Sequence, residues 1–143
     1  MSGSQIKYHK DSNTYIARKN TFFEDDVKID GNLMVGAGSN FWKDLYVNGK
    51  LELGKGSFVR GNIRADEALI GARSEINGTI YVAGDLRIFD QAKIGRSAIA
   101  GKEMLVRPGC KIAFAKASGT MELVGKVSIN EIESGTKVIV RSE

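Results

Sequence analysis

The sequence predicts an all-β, single-domain protein that folds as a triangular β-helix, or β-solenoid, of about six turns of 17–18 residues. Three observations support this prediction. A six-residue apolar pattern repeats through most of the chain, glycine is common while proline occurs once, and residues 27–140 show no 3.6-residue helical period. Short strands separated by tight corners account for all three.

The clearest copy of the repeat is Gly78–Phe89, which reads Gly-Thr-Ile-Tyr-Val-Ala and then Gly-Asp-Leu-Arg-Ile-Phe. Ile80 and Val82 point to one side of the backbone, and Thr79 and Tyr81 point to the other, as in a strand with one buried face. A strand this short that stops and restarts at a fixed period is typical of a solenoid.

The pattern continues in both directions, and every third unit falls on the same side of the predicted coil. Each side then has a mostly aliphatic inward column, because stacked turns bury their apolar residues against one another. The first side has Ile29, Val47, Ala65, Val82, Ala100, Ser118 and Gly135, the second has Val35, Leu53, Ile70, Ile88, Val106, Leu123 and Val140, and the third has Phe41, Val59, Ile76, Ile94, Ile112 and Ile129.

A second inward column lies two residues earlier in each unit and differs between sides. On the second side it is mostly large, whereas on the third side it is nearly all small. The small column reads Ser39, Ser57, Ser74, Ala92, Cys110 and Val127. Sides that differ consistently fit a coil whose cross-section is not symmetric.

Glycine is predicted at the corners, where the backbone needs angles that other residues adopt reluctantly. The chain has 17 glycines and one proline. Pro108 and Gly109 fall together where a corner is expected. The scarcity of proline fits continuous strand ladders, because proline removes a backbone hydrogen bond.

The β-helix domain is predicted to occupy residues 27–140, preceded by a flexible basic N-terminal arm and end cover at residues 1–26 and followed by a C-terminal tail at residues 141–143. The chain has a net charge of +4. The basic residues of the arm are Lys7, Lys10, Arg18 and Lys19. Two readings of the arm stay open: a solvated terminus, or a contact with an acidic membrane surface or with cell-envelope proteins.

The sequence contains no apolar run long enough to cross a bilayer, and Met1–Lys10 lacks the apolar segment of a secretion signal. The single cysteine, Cys110, excludes an internal disulfide and fits a reducing compartment. We therefore expect a cytoplasmic protein, with membrane association through the arm left open.

The glycine-x-apolar-x-apolar hexads, the chain length and the absence of inserted loops resemble those of bactofilins, a family of polymer-forming cytoskeletal proteins. The resemblance covers about residues 27–140 and rests on the repeat pattern. It implies a right-handed triangular β-helix, which the large inward residues also favour. It further implies nucleotide-independent filaments, often held at a membrane by an N-terminal tail, that scaffold cell-envelope enzymes or cell shape. The polar and basic Met1–Lys10 departs from the apolar start of the membrane-binding tails.

End-to-end self-assembly also follows from the predicted fold, because a solenoid has unpaired strand edges at both ends. The last apolar strand is followed only by Arg141, Ser142 and Glu143. We therefore expect a homopolymer whose subunits meet through residues at both ends of the coil. These are Val27, Ile29, Leu33 and Val35 at one end and Val127, Ile129, Val138, Ile139 and Val140 at the other.

The main alternative is an enzyme, because hexapeptide-repeat acyltransferases and the related zinc carbonic anhydrases also form β-helices with a six-residue period. Their inward position two residues before the aliphatic is usually small, whereas here it holds residues such as Leu33 and Ile80. Their chemistry needs histidine, and the single histidine, His9, lies in the arm. We expect no enzymatic activity, no catalytic residue, no cofactor and no metal.

A further alternative is a non-polymerising β-solenoid that binds glycans or proteins through its sides. Trp42 and Tyr81 could stack on a sugar or a base, but outward aromatic residues are too sparse for a regular platform. Nucleic acid is therefore not expected as a partner. Cys110 is predicted to be a buried packing residue, because it belongs to the small inward column.

Overall fold

A computed structural model describes residues 5–143, so Met1–Ser4 lie outside the described residues. The described chain forms strands joined by tight turns. In chain order the strands are β1 (Ile6–His9), β2 (Thr14–Ala17), β3 (Phe22–Phe23), β4 (Val27–Asp30), β5 (Asn32–Val35), β6 (Asn40–Phe41), β7 (Leu45–Leu53), β8 (Phe58–Val59), β9 (Ile63–Ile70), β10 (Glu75–Ile76), β11 (Ile80–Val82), β12 (Leu86–Ile88), β13 (Lys93–Ala100), β14 (Met104–Val106), β15 (Lys111–Ala117), β16 (Met121–Val124), β17 (Ser128–Ser134) and β18 (Val138–Arg141).

The strands stack as three parallel ladders, in which each strand pairs with a strand one turn away. Side A runs from β4 through β7, β9, β11, β13 and β15 to β17. Side B runs from β2 through β5, β7, β9, β12, β14 and β16 to β18. Side C runs from β3 through β6, β8, β10, β13 and β15 to β17. The predicted all-β solenoid with three sides is confirmed.

The solenoid has about seven turns, one more than predicted. Strand β2 pairs in parallel with β5, and β3 pairs with β6, so residues 14–26 form an additional first turn. The predicted start at Val27 is therefore too late. The hexad pattern hides this turn because glycine is absent from residues 4–30, so the corners carry no signal. Strand β1 folds back against β2 as an antiparallel hairpin.

The core consists of the inward columns predicted from the hexads, with one register correction. The partner of Ala100 on side A is Ala117, which is buried, and the next partner is Ser134. The predicted residues Ser118 and Gly135 lie one position further along and are exposed. The pairing shifts by one residue between Ile94 and Ser97, so the missing residue of this turn lies before Ala117. The hexad count had placed the missing residue after Ser118.

The corner between sides B and C has a left-handed backbone in almost every turn. The residues with positive φ there are Asn20, Gly38, Gly56, Arg73, Gln91 and Gly109. The next residue in each turn is the small inward position, and where it is serine its hydroxyl bonds backbone groups of the bend or of the neighbouring turn. Ser39 Oγ, for example, accepts from the N–H of Thr21 at 3.3 Å and donates to the carbonyl of Gly36 at 2.8 Å. This explains why the column favours serine over an aliphatic residue.

No helix in the described part of the chain is long and apolar enough to cross a membrane.

The close approach of consecutive turns at the corners generates a prediction for Gly71. A Cβ added there would lie 2.5 Å from the Leu53 carbonyl oxygen and 2.6 Å from the Lys55 nitrogen, both of which are backbone atoms of the preceding turn. We expect Gly71→Ala to lower the free energy of unfolding by ~3 kcal/mol, because the turns must move apart. Gly56→Ala is the control, since its Cβ would meet nothing within 4 Å. It should cost only ~1 kcal/mol for its positive φ.

Both variants can be compared by urea denaturation followed by circular dichroism. Equal losses of stability would contradict the close approach of consecutive turns as the reason for glycine at Gly71.

Candidate functional site

The C-terminal end of the solenoid is an open apolar surface. Val140 is 72% exposed, Ile132 43% and Val138 41%. Residues in the same columns one turn earlier, such as Met121 and Ala115, are completely buried. The last turn of the described chain has inward apolar side chains like the turns before it, and no residue within 5–143 covers them.

The backbone at this end is also unpaired on its outer edge. Among the described strands, β17 pairs only with β15, and β18 pairs only with β16. Both strands therefore present a row of free N–H and C=O groups, which is a template for another strand. Two exposed ion pairs, Lys116–Glu133 at 3.2 Å and Arg141–Glu122 at 2.9 Å, connect the last turn to the one before it and leave the end uncovered.

The predicted contact residues of this end all lie on the last turn. Val138 and Val140 are exposed, while Val127, Ile129 and Ile139 are half-buried. The sequence analysis missed Ile132, which adds a third exposed side chain from side A. The signal was available, because Ile132 occupies the inward position two residues before Ser134, the residue that follows Ala117 in the side A column.

The N-terminal end is built differently, because the β1–β2 hairpin covers part of it. Gln5 accepts from the backbone N–H of Arg18 through its carbonyl and from that of Phe22 through its side chain. Ile6 packs against the core. Beneath this cover, the ring of Phe23 stacks on Phe41 with centroids 4.8 Å apart. Side B and part of side C therefore have their edges satisfied within the chain.

The side chains of the predicted contact residues at the N-terminal end are buried and do not form an exposed surface. Val27 and Ile29 are 7% and 9% exposed, and Leu33 and Val35 are buried deeper. Their buried side chains offer no apolar surface, so a contact at this end through these residues would have to use their backbone. What remains open at this end is the outer backbone edge of β4, which pairs only with β7 in the described structure.

The basic residues assigned to the arm lie in two places. Lys7 and Lys10 are exposed on the hairpin, on β1 and in the turn that follows it. Arg18 and Lys19 are exposed at the corner between sides B and C. The hairpin strands pair along their whole length, so the described part of the predicted arm belongs to the solenoid.

The candidate chemical groups are scattered. His9 is exposed on the hairpin, and its Nδ1 lies 2.8 Å from the Ser12 hydroxyl. Cys110 is buried, and its thiol donates to the Phe89 carbonyl at 2.9 Å. Within residues 5–143, no three His, Cys, Asp or Glu residues group in a way that could hold a metal ion.

Comparison with known proteins gives limited guidance. No family model matches the chain, and no solved structure matches it. The chain is similar to the bifunctional protein GlmU of Carboxydothermus hydrogenoformans, with 27% identity over 114 residues. The aligned part covers 80% of this chain but 23% of GlmU, so the chain spans about a quarter of that relative's length.

The environment of Cys110 generates a prediction about its reactivity. Burial raises the pKa of the Cys110 thiol, although hydrogen bonds with backbone groups act in the opposite direction. Because the thiolate is the reactive form, we expect thiol reagents to modify folded protein very slowly at mildly alkaline pH. The same protein in denaturant should react at the rate of a free cysteine. Rapid labelling of the folded protein would mean that this corner opens readily.

Proposed function

We propose that this protein is a non-enzymatic scaffold that assembles end to end, without bound nucleotide, into a homopolymer. The observation that carries the proposal is the open C-terminal end, where apolar side chains and two unpaired strand edges occur together. A second copy could cover both at once, by adding a strand to each edge and burying Ile132, Val138 and Val140.

The parallel ladders make such a contact favourable in principle. Every interior turn gains its stability from two neighbouring turns, whereas the last turn has only one. A docked copy would supply the missing neighbour with the same spacing of about 4.8 Å. Exposed side chains would enter columns that are already aliphatic, so no polar group would be buried without a partner.

The hairpin at the N-terminal end limits how copies can join. A head-to-tail contact must use the free edge of β4 and accommodate β1, since β1 occupies the outer edge of β2. A contact between two C-terminal ends meets no such cover. We therefore propose that assembly starts at the C-terminal end, with the N-terminal contact as the weaker step that extends dimers into filaments.

A hexapeptide-repeat enzyme is the rival function, and the similarity to GlmU is the observation in its favour. That similarity covers 23% of GlmU, so it does not carry an activity to this chain. His9, the single histidine, lies on the exposed hairpin and bonds Ser12. A catalytic base there would have little of the preorganised support that catalysis requires.

The cellular setting is part of the same proposal. A cytoplasmic filament of this kind would serve as a scaffold that binds other proteins, including those of the cell envelope. In a dimer formed through the two C-terminal ends, Lys7 and Lys10 on the exposed hairpin would remain available to such partners.

The proposal predicts that a charge on the open end prevents assembly. We expect Val140→Asp to abolish sedimentable assemblies, because a carboxylate would be buried without a partner at the contact. Val140 is already exposed in the single chain, so the fold should survive, which circular dichroism can verify. Met34→Asp is the matched control, since Met34 is 45% exposed on side B in the second turn, far from the C-terminal end.

Negative-stain electron microscopy of the purified protein would complement sedimentation. Filaments with a subunit repeat of about 35 Å, from about seven turns, are the expected result. Assemblies that persist in Val140→Asp, or that are lost equally in Met34→Asp, would contradict a contact through the C-terminal end. A protein that stays monomeric at every concentration and salt would overturn end-to-end assembly altogether.

A further inference from the structure

The corner between sides B and C, together with the adjoining part of side C, is strongly basic. Each of five consecutive turns contributes at least one basic residue to this surface. We call it the basic face, and its basic residues are Lys55, Arg73, Lys93, Arg107, Lys111 and Lys126. Lys93 and Lys111 are direct ladder partners, so their side chains leave the sheet at adjacent positions on neighbouring turns.

The basic face carries an excess of positive charge. It includes two acidic residues, Glu75 and Asp90, beside its six basic ones, which leaves a net of +4. The whole chain has 21 basic and 17 acidic residues. Arg18 and Lys19, at the same corner in the first turn, add to the positive charge, while Glu24 is an acidic residue near the N-terminal end of side C. The corner and the adjoining part of side C therefore form a positively charged surface that runs along the axis.

Most of these cations are not neutralised by neighbours. Arg107 pairs with Asp90 at 3.4 Å. Glu75 is the ladder partner of Lys93 but lies outside ion-pair distance. Within residues 5–143, the other five basic residues make no ion pair, and all five are exposed. The sheet fixes the positions from which these side chains extend, so only the side chains themselves lose conformational freedom when an anion binds.

Side C also presents two exposed aromatic residues near its N-terminal end. Trp42 is 49% exposed, and Phe22 meets it edge to face with ring centroids 5.1 Å apart. The guanidinium of Arg60 lies over the indole, 4.9 Å from its centroid. The indole is therefore packed on two sides by its own chain, and part of it still faces solvent.

We propose that the basic face docks on an anionic lipid surface, with Trp42 and Phe22 at the level of the headgroups. Lysine and arginine near such a surface are attracted by its negative potential, and amphipathic aromatic rings favour the interface between water and acyl chains. A shallow hollow of about 340 Å³ between Lys93 and Lys111, lined by the small residues Gly95 and Ala113, leaves room for a headgroup.

A lipid surface fits these observations better than a nucleic acid does. Single strands bind where bases can stack on free aromatic faces along a basic groove. Here the Arg60 guanidinium already lies over the Trp42 ring, and the outer ladder neighbours of the Lys93 and Lys111 pair are Glu75 and Ser128, neither of them aromatic. Lipid headgroups need no stacking platform, and they can diffuse to match a flat row of cations.

The inference uses a side of the solenoid and not its ends, so it does not depend on the proposed assembly. It predicts that the protein sediments with vesicles of phosphatidylcholine mixed with phosphatidylserine and not with vesicles of phosphatidylcholine alone. Binding should weaken steeply as salt rises from about 0.1 M to about 1 M, because the Debye length falls from ~10 Å to ~3 Å.

A double variant that removes two positive charges, Lys93→Gln with Lys111→Gln, should bind these vesicles about 30-fold more weakly, at the typical attraction per cation near an anionic surface. The matched control is Arg64→Gln with Lys102→Gln, which removes the same charge from exposed positions away from side C. Its binding should change by less than about threefold. Equal weakening in both variants would overturn the proposal in favour of a non-specific effect of net charge.

The single tryptophan gives a second, independent measurement. Trp42 fluorescence should shift to shorter wavelength when anionic vesicles are added to the unmodified chain, because the indole enters a less polar layer. Binding without any shift would mean that side C does not face the lipid and would contradict the proposal. Tighter binding to single-stranded DNA than to anionic vesicles, lost in the Lys93 and Lys111 double variant, would reassign the basic face to nucleic acid.

Discussion

The parallel hydrogen-bond ladder between consecutive turns is the constraint on which the rest of this structure depends. Each strand of two to nine residues is too short to be stable alone, and a single turn has no hydrophobic core of its own. Stacking solves both problems, because partners 17 or 18 residues apart pair their backbones and bury their inward side chains together. The corner glycines follow from the same spacing, since a Cβ at Gly71 would push neighbouring turns apart.

Because of this constraint, the strands at the two ends lack a neighbouring turn on one side, and the two ends differ in how these strands are covered. At the N-terminal end, β1 folds back on β2, Gln5 bonds the backbone of Arg18 and Phe22, and the stacked pair Phe23 and Phe41 lies beneath. The C-terminal end has no equivalent cover, and Val140 remains 72% exposed. The asymmetry supports self-association through the C-terminal end. The charged surface, in contrast, lies on a side of the solenoid.

The sides differ through the residues that alternate with the core. On side C these include Trp42, Lys93 and Lys111, so one face combines aromatic and basic groups. On side A the outward ladder contains Lys28, Tyr46, Arg64 and Tyr81, where cations lie over the tyrosine rings. A solenoid therefore offers separate surfaces to separate partners: its ends suit further copies of itself, and a charged side suits an extended anionic surface.

The sequence by itself determined the solenoid, its three sides and nearly all of its core, because an apolar pattern with a period of six residues is a local property that each turn repeats. It also located Val138 and Val140 at the end of the coil. Only the tertiary structure decided the additional first turn, the hairpin cover and the burial of Val27 and Ile29, since these depend on pairing between strands that share no glycine-marked repeat. It also decided that Ala117 and not Ser118 enters the core, because a register shift between Ile94 and Ser97 changes the count of residues around one turn.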